Sequence, residues 1–174
     1  MPRLLQTLLY LTLTAASAQA EPSLERLQTV ASFQKALEPT ARPHLVHFWA
    51  LWCPPCVEEL PRQVELARSA RAAGVEVLWV NLDGFTKEAA VRSHLRSLKG
   101  AGASRNVQLD PAISPENLSK QLAPGWTGAL PATFGLPADG TPVVAVLEPI
   151  TSEGAKRMLT ALTPRLTPHP EKSP

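Results

Sequence analysis

The sequence predicts an α/β fold with a central mixed sheet and helices on both of its faces. Residues 45–50, Leu-Val-His-Phe-Trp-Ala, and residues 75–83 are near-continuous apolar runs, the pattern of strands buried on both sides. Between them, from Cys53 onward, apolar residues recur at helical spacing. Strand, helix, strand in that order closes by a right-handed crossover into a parallel pair. Residues 132–136 and 142–147 flank the turn Ala138-Asp139-Gly140, which predicts an antiparallel hairpin and makes the sheet mixed.

The 174 residues, 44% hydrophobic and 18% charged, suffice for one domain with a sizeable core and argue against disorder. Net charge is only +2, and no basic block interleaves with aromatics, so a nucleic-acid partner has no support. Residues 1–20 read as an export signal: Arg3 supplies charge, residues 4–16 an apolar core, and Ala18-Gln19-Ala20 a small-x-small cleavage site. The alternative, an uncleaved anchor, suits the segment less, because its apolar run is shorter than the roughly 20 residues of a spanning helix. Cleavage after Ala20 leaves a domain over residues 21–163 and a tail, 164–174, with four prolines among eleven residues. The expected address is the periplasm or the outer face of the cytoplasmic membrane, where thiols drift toward disulfides.

In chain order, residues 26–31 read as a short strand and 32–38 as a helix capped by Ser32 and ended by Pro39, although one helix over Leu24, Leu27, Ala31 and Leu37 fits almost as well. The helix after Cys53 sets Val57, Leu60, Val64 and Ala67 against Glu58, Arg62, Glu65 and Arg68, with a kink expected at Pro61. After the second buried strand, Thr86 is expected to cap a helix running to about Lys99, with Ala90, Val91, Leu95 and Leu98 inward and Gly100 as its stop. A strand at 106–109 follows. Ser114-Pro115 then opens a small helix to Leu122. Residues 152–162 read as the last helix.

Both cysteines lie in Trp52-Cys53-Pro54-Pro55-Cys56, which predicts thiol–disulfide exchange. Two residues between the thiols let both sulfurs meet within one helical turn. Cys53, at the exposed helix start, is the expected nucleophile, because the helix dipole favours its thiolate; Cys56, one turn inside, is the resolving thiol. Pro54 and Pro55 remove two backbone donors from the helix start, which stabilises that thiolate less and favours a reducing pair. A purely structural disulfide over so short a loop contributes only about 2 kcal/mol. A zinc site needs two more ligands, and His44 and His47, three apart on a strand, face opposite ways. No metal ligand is assigned, although soft thiolates suit Cu(I), which keeps a copper-binding module as a rival of a different class.

The run Phe48-Trp49-Ala50-Leu51-Trp52-Cys53-Pro54-Pro55-Cys56, then Glu59 and Pro61, then Leu130-Pro131-Ala132-Thr133-Phe134 and Asp139-Gly140 resembles the thioredoxin fold, and within it the exported TlpA-like and ResA-like thiol–disulfide oxidoreductases. The resemblance implies a cis bond before Pro131 that faces the cysteines. It implies substrate contacts from Trp52, Pro54, Pro55, Leu130 and Pro131, with strand addition at Leu130, and Trp126 as a further groove candidate. Glu59 becomes a proton acceptor for Cys56. The redox-active disulfide is the sole cofactor expected. Partners would be protein thiols and disulfides, apocytochrome thiols for example, and a membrane thiol as electron donor. A disulfide oxidase or isomerase is the rival within the class. Two features depart from the pattern: residues 26–37 look like the first strand and helix of an ordinary thioredoxin, and His47 stands where thioredoxins typically carry a buried Asp and TlpA-like proteins often an Asn. His47 is therefore a candidate modulator of the local proton chemistry.

Overall fold

The computed structural model describes residues 22–37, 42–138 and 144–163; the expected signal segment, the Pro-rich tail and the turn at Asp139-Gly140 lie outside the described residues. The elements run β1 (Glu25–Leu27), α1 (Val30–Ala36), β2 (His44–Trp49), α2 (Pro54–Ala72), β3 (Glu76–Asn81), α3 (Glu88–Ser97), β4 (Arg105–Leu109), α4 (Pro115–Leu122), β5 (Ala132–Leu136), β6 (Val144–Val146) and α5 (Ser152–Leu162). The six strands form one sheet in the order β1-β4-β3-β2-β5-β6. β1, β4, β3 and β2 are parallel, and β5 and β6 add on antiparallel. The crossover through α2 and the closing hairpin are those the sequence predicts.

Register sorts the side chains onto two faces. Leu45 pairs with Val77 and His47 with Trp79, and these residues meet α2, α3 and α5. Val46, Phe48, Leu78 and Val80 point the other way, toward Phe33 of α1 and Leu118 and Leu122 of α4. On that second face Phe48 centres an aromatic cluster, with ring centroids 4.7 Å from Trp126, 5.8 Å from Phe134 and 6.0 Å from Phe33. Trp126 is thus core packing, not a groove residue. On the first face α5 lies so close to β5 that a Cβ on Gly135 would meet Met158 Sδ at 2.5 Å.

Four local expectations are corrected. The first strand covers only 25–27, and α1 starts at Val30 with Thr29, not Ser32, as its cap. Thr29 Oγ1 accepts from the Ser32 N–H at 3.0 Å while Ser32 Oγ accepts from the Thr29 N–H at 3.1 Å. In this reciprocal box the outer residue is the cap and the inner one closes it. Thr86 caps nothing: it sits in a 3₁₀ turn, Phe85–Lys87, ahead of α3. Ala90 is exposed, because the stripe that α3 buries is Val91 and Leu95. α2 continues through Pro61, whose ring is exposed.

Candidate active site

The chain enters the site from the end of β2 through a loop tied to the end of β3. Trp49 C=O accepts from the Leu82 N–H at 2.9 Å. One residue on, the buried Asp83 carboxylate accepts from the Leu51 N–H at 2.7 Å and from Asn81 Nδ2 at 2.8 Å. Asp83 is itself held, its N–H donating to Asn81 Oδ1 at 3.0 Å and its C=O accepting from Gln108 Nε2 at 2.7 Å. A short side chain with two charge-assisted hydrogen bonds thus fixes where the loop turns.

The turn delivers Cys53 as the N-cap of α2, with φ −105° and ψ 95°. Cys53 and Cys56 are joined in a disulfide with Cα atoms 5.3 Å apart. Cys56 is fully buried and Cys53 is 5% exposed, whereas Trp52 beside them is 63% exposed. Pro54 and Pro55 are exposed as well. Neither proline has an N–H, and those of Cys56 and Val57 donate to the Cys53 C=O at 3.0 and 3.2 Å. The helix start therefore offers few unspent donors to a thiolate. The Leu130–Pro131 bond is cis, and Leu130 packs against the cluster that contains both cysteines.

Beneath the disulfide lies a group of buried polar side chains. Glu59, one turn after Cys56, is 4% exposed. Its Oε2 accepts from the Ile150 N–H at 2.6 Å and its Oε1 from Gln63 Nε2 at 3.3 Å. Gln63 Nε2 also donates to Thr133 Oγ1 at 3.1 Å, and Thr133 Oγ1 is 3.0 Å from His47 Nδ1. His47 Nε2 lies 3.6 Å from Glu59 Oε1. Burial holds the His47 imidazole down at about 3, against a backbone hydrogen bond at Ala132 that pulls it up, so His47 is neutral at pH 7. Burial pushes the Glu59 carboxyl up; the Ile150 N–H, Gln63 and the Arg62 charge oppose it.

Cys53, Cys56, Glu59, His47, Leu130 and Pro131 are thus gathered in one region, with Trp52, Pro54 and Pro55 exposed beside the cysteines. His44 sits at the start of β2 on the opposite face from His47, and among the described residues no group of three or more His, Cys, Asp or Glu is placed to hold a metal ion. Sequence reasoning missed Asp83, Gln63 and Thr133. Gln63 left a trace: it stands four residues after Glu59 and seven after Cys56, on one helical face.

A family model, Thioredoxin, matches residues 25–95. The fold is the thioredoxin fold. A solved thioredoxin-family thiol:disulfide interchange protein from Chlorobium tepidum superposes with a TM-score of 0.55 at 21% identity, covering 75% of this chain and 85% of that one. A secreted disulfide oxidoreductase from Mycobacterium tuberculosis does so with a TM-score of 0.55 at 20% identity, covering 72% and 86%. By sequence, the thiol-disulfide oxidoreductase ResA of Bacillus cereus is 28% identical over 123 residues, 71% of this chain. The chain spans 62% of that relative's length.

Proposed function

We propose that this chain is an exported thiol–disulfide oxidoreductase that reduces disulfides of cell-envelope proteins, those of apocytochrome c among them, to thiols through Cys53 and Cys56. The observation that carries the reading is the Cys53–Cys56 pair at the start of α2, Cys53 only 5% exposed next to the exposed Trp52 and Cys56 fully buried one turn before Glu59. The ResA-like relatives and the secreted structural neighbour support both chemistry and address. No helix among the described residues is long and apolar enough to cross a membrane.

In the reduced protein the Cys53 thiolate attacks a substrate disulfide; one substrate sulfur leaves as thiolate and the other stays bonded to Cys53. Glu59 then accepts the Cys56 proton, and the Cys56 thiolate attacks Cys53 sulfur. The Cys53–Cys56 bond forms and the second substrate thiolate leaves, so two electrons pass from protein to substrate. A membrane dithiol restores the reduced pair. Trp52, Pro54, Pro55, Leu130 and Pro131 line the surface that receives the substrate segment, whose backbone adds along Leu130 as a strand. The spent N–H groups at the helix start favour the reducing direction, since a thiolate with few donors is held less strongly.

The test is the redox equilibrium of the pair with dithiothreitol and glutathione, together with insulin-disulfide reduction by wild type, Cys53→Ser and Cys56→Ser. A potential near about −270 mV with turnover lost in both variants is expected; one near about −120 mV makes the protein an oxidase instead. Stoichiometric Cu(I) binding without insulin reduction would point to a metal-binding module.

A further inference from the structure

Two charged side chains on α2 hold one residue of the link between β6 and α5 by its backbone. Glu59 Oε2 accepts from the Ile150 N–H at 2.6 Å, and Arg62 Nη1 donates to the Ile150 C=O at 2.7 Å. Residues three apart on a helix share a face, so the carboxylate and the guanidinium reach the two polar groups of one residue together. The Ile150 side chain is fully buried, in the cluster that contains Cys53 and Cys56. The next residue, Thr151, caps α5 by accepting from the Gly154 N–H at 3.0 Å. Glu65, the acid three residues beyond Arg62, is met by Arg68 at 2.7 Å, whereas Arg62 reaches the backbone carbonyl.

A buried carboxyl is driven toward its acid form, and a carboxylic acid cannot take a proton from Cys56. We propose that Arg62 is a positioning residue that keeps Glu59 ionised and so fit to accept that proton: its guanidinium fixes Ile150 with the N–H on Glu59 Oε2, and its charge favours the carboxylate one turn away. The inference deepens the reading of Glu59 as the base of the exchanging pair and rests on it.

A backbone N–H that donates to a carboxylate makes a charge-assisted bond, stronger than a neutral one, and favours the ionised form. Holding the carbonyl of the same residue keeps that N–H in place. Burial pushes the Glu59 carboxyl up, and the Ile150 N–H, Gln63 and the Arg62 charge oppose it; two of the three opposing influences thus depend on Arg62. With Oε2 on the backbone, Oε1, met by Gln63 Nε2 at 3.3 Å, keeps a lone pair for the incoming proton. In the resolving step the Cys56 S–H bond breaks and the Oε1–H bond forms. The electron pair left on Cys56 sulfur attacks Cys53 sulfur, and the substrate sulfur leaves with its own pair. Among the described residues the charged or titratable groups about Glu59 are Arg62 and Cys56 on its own helix and His47 of β2. His47 is 3.6 Å from Oε1 and uncharged, since burial holds it down at about 3. β5 contributes only the Thr133 hydroxyl, through Gln63, and the segment before α5 only the Ile150 backbone.

The test is a stopped-flow reaction of the full-length reduced protein with dithionitrobenzoate across a range of pH. Attack by Cys53 releases the first thionitrobenzoate and attack by Cys56 the second, so the second phase reads the resolving step by itself. Its rate should rise with pH along a limb set by Glu59. In Arg62→Ala that limb should move up by about one unit, which makes the second phase about tenfold slower below it, with the first phase and the plateau above the limb unchanged. The Glu59 carboxyl carbon, followed by NMR in the same reduced variant, should show its midpoint raised to match. Arg62→Lys restores a charge and a donor and should return both. A second phase in Arg62→Ala that keeps the wild-type limb overturns the inference, and so does one slowed by the same factor at every pH, the mark of a merely structural loss. Glu59→Gln separates the two levels. A limb that vanishes in Glu59→Gln but stays put in Arg62→Ala sinks the role of Arg62 alone, whereas a limb that survives Glu59→Gln removes the base and the inference with it.

Discussion

The two faces of the sheet are made by alternate residues of the same strands and both bury an apolar cluster, yet the α2 face also sets polar side chains among its apolar ones. Val46 and Phe48 of β2, Leu78 and Val80 of β3 and Phe134 of β5 enter a wholly apolar layer with Phe33 and Trp126. One residue along each strand, His47, Thr133, Asn81 and Gln108 face the α2 side, where Glu59 and Gln63 meet His47 and Thr133, all at 4% exposure or less. Buried polar groups cost free energy unless paired, and paired ones add little over an apolar core. The buried polar groups that this face sets beside Leu45, Val77 and Trp79 are therefore organised for something other than stability. The disulfide lies on that face.

The largest effect expected from breaking this contrast is on the apolar side. Phe48→Ala empties the centre of the aromatic cluster and should cost about 3–5 kcal/mol, read as a fall in the denaturation midpoint with unchanged slope. The CxxC potential of the molecules that remain folded should match wild type. A potential that moves with Phe48 would show that the two faces are not separable.

On the polar side the contrast appears as pH dependence. His47 titrates at about 3 in the fold against 6.5 as its ordinary value, so between those values the unfolded chain binds a proton that the native state does not. Stability is then present above about pH 6.5 and is lost as pH falls toward 3, with a limiting slope of about 1.4 kcal/mol per unit. Glu59 acts in the other sense: burial raises it, so the native state holds a proton that the unfolded chain has released, and stability falls as pH rises above 4.5 toward the raised value. His47→Leu should flatten the acid limb of the stability profile, and Glu59→Gln should steepen the rise above pH 4.5. An acid limb unchanged in His47→Leu would assign it to other groups.

How much of this contrast the sequence discloses follows from the range of each interaction. Alternation along β2 and β3 separates the faces, and CxxC at a helix start identifies the thiols, because these are local signals. The meeting of His47 with Glu59 is not legible: it needs α2 to lie back over β2, and the link through Thr133 needs the antiparallel register that sets His47 opposite Thr133. Asp83 reads only as the end of a strand, since the Leu51 N–H it binds is brought near by the Trp49–Asn81 pairing of two parallel strands.

Asp83 is a smaller test of the same polar face. Asp83→Ala leaves the Leu51 N–H and the Asn81 amide without their acceptor and should cost about 1–3 kcal/mol. Because it frees the loop that carries Cys53, it should also raise the rate of Cys53 alkylation in the reduced protein. Stability lost with an unchanged alkylation rate would make Asp83 a purely structural anchor.

The smallest effect is expected at the edge of the apolar side. Thr29→Ala removes the hydroxyl that accepts from the Ser32 N–H, and Ser32 cannot take over as cap, since its own hydroxyl already serves the Thr29 backbone from inside the first turn. A lost cap costs about 1 kcal/mol. The variant should show that loss in denaturation, with the Cys53–Cys56 potential and the pH profile unaltered, because α1 touches the face that holds none of the proton-carrying groups. Ser32→Ala should cost less, since it leaves the Thr29 cap in place. The reverse ranking would return the cap to Ser32.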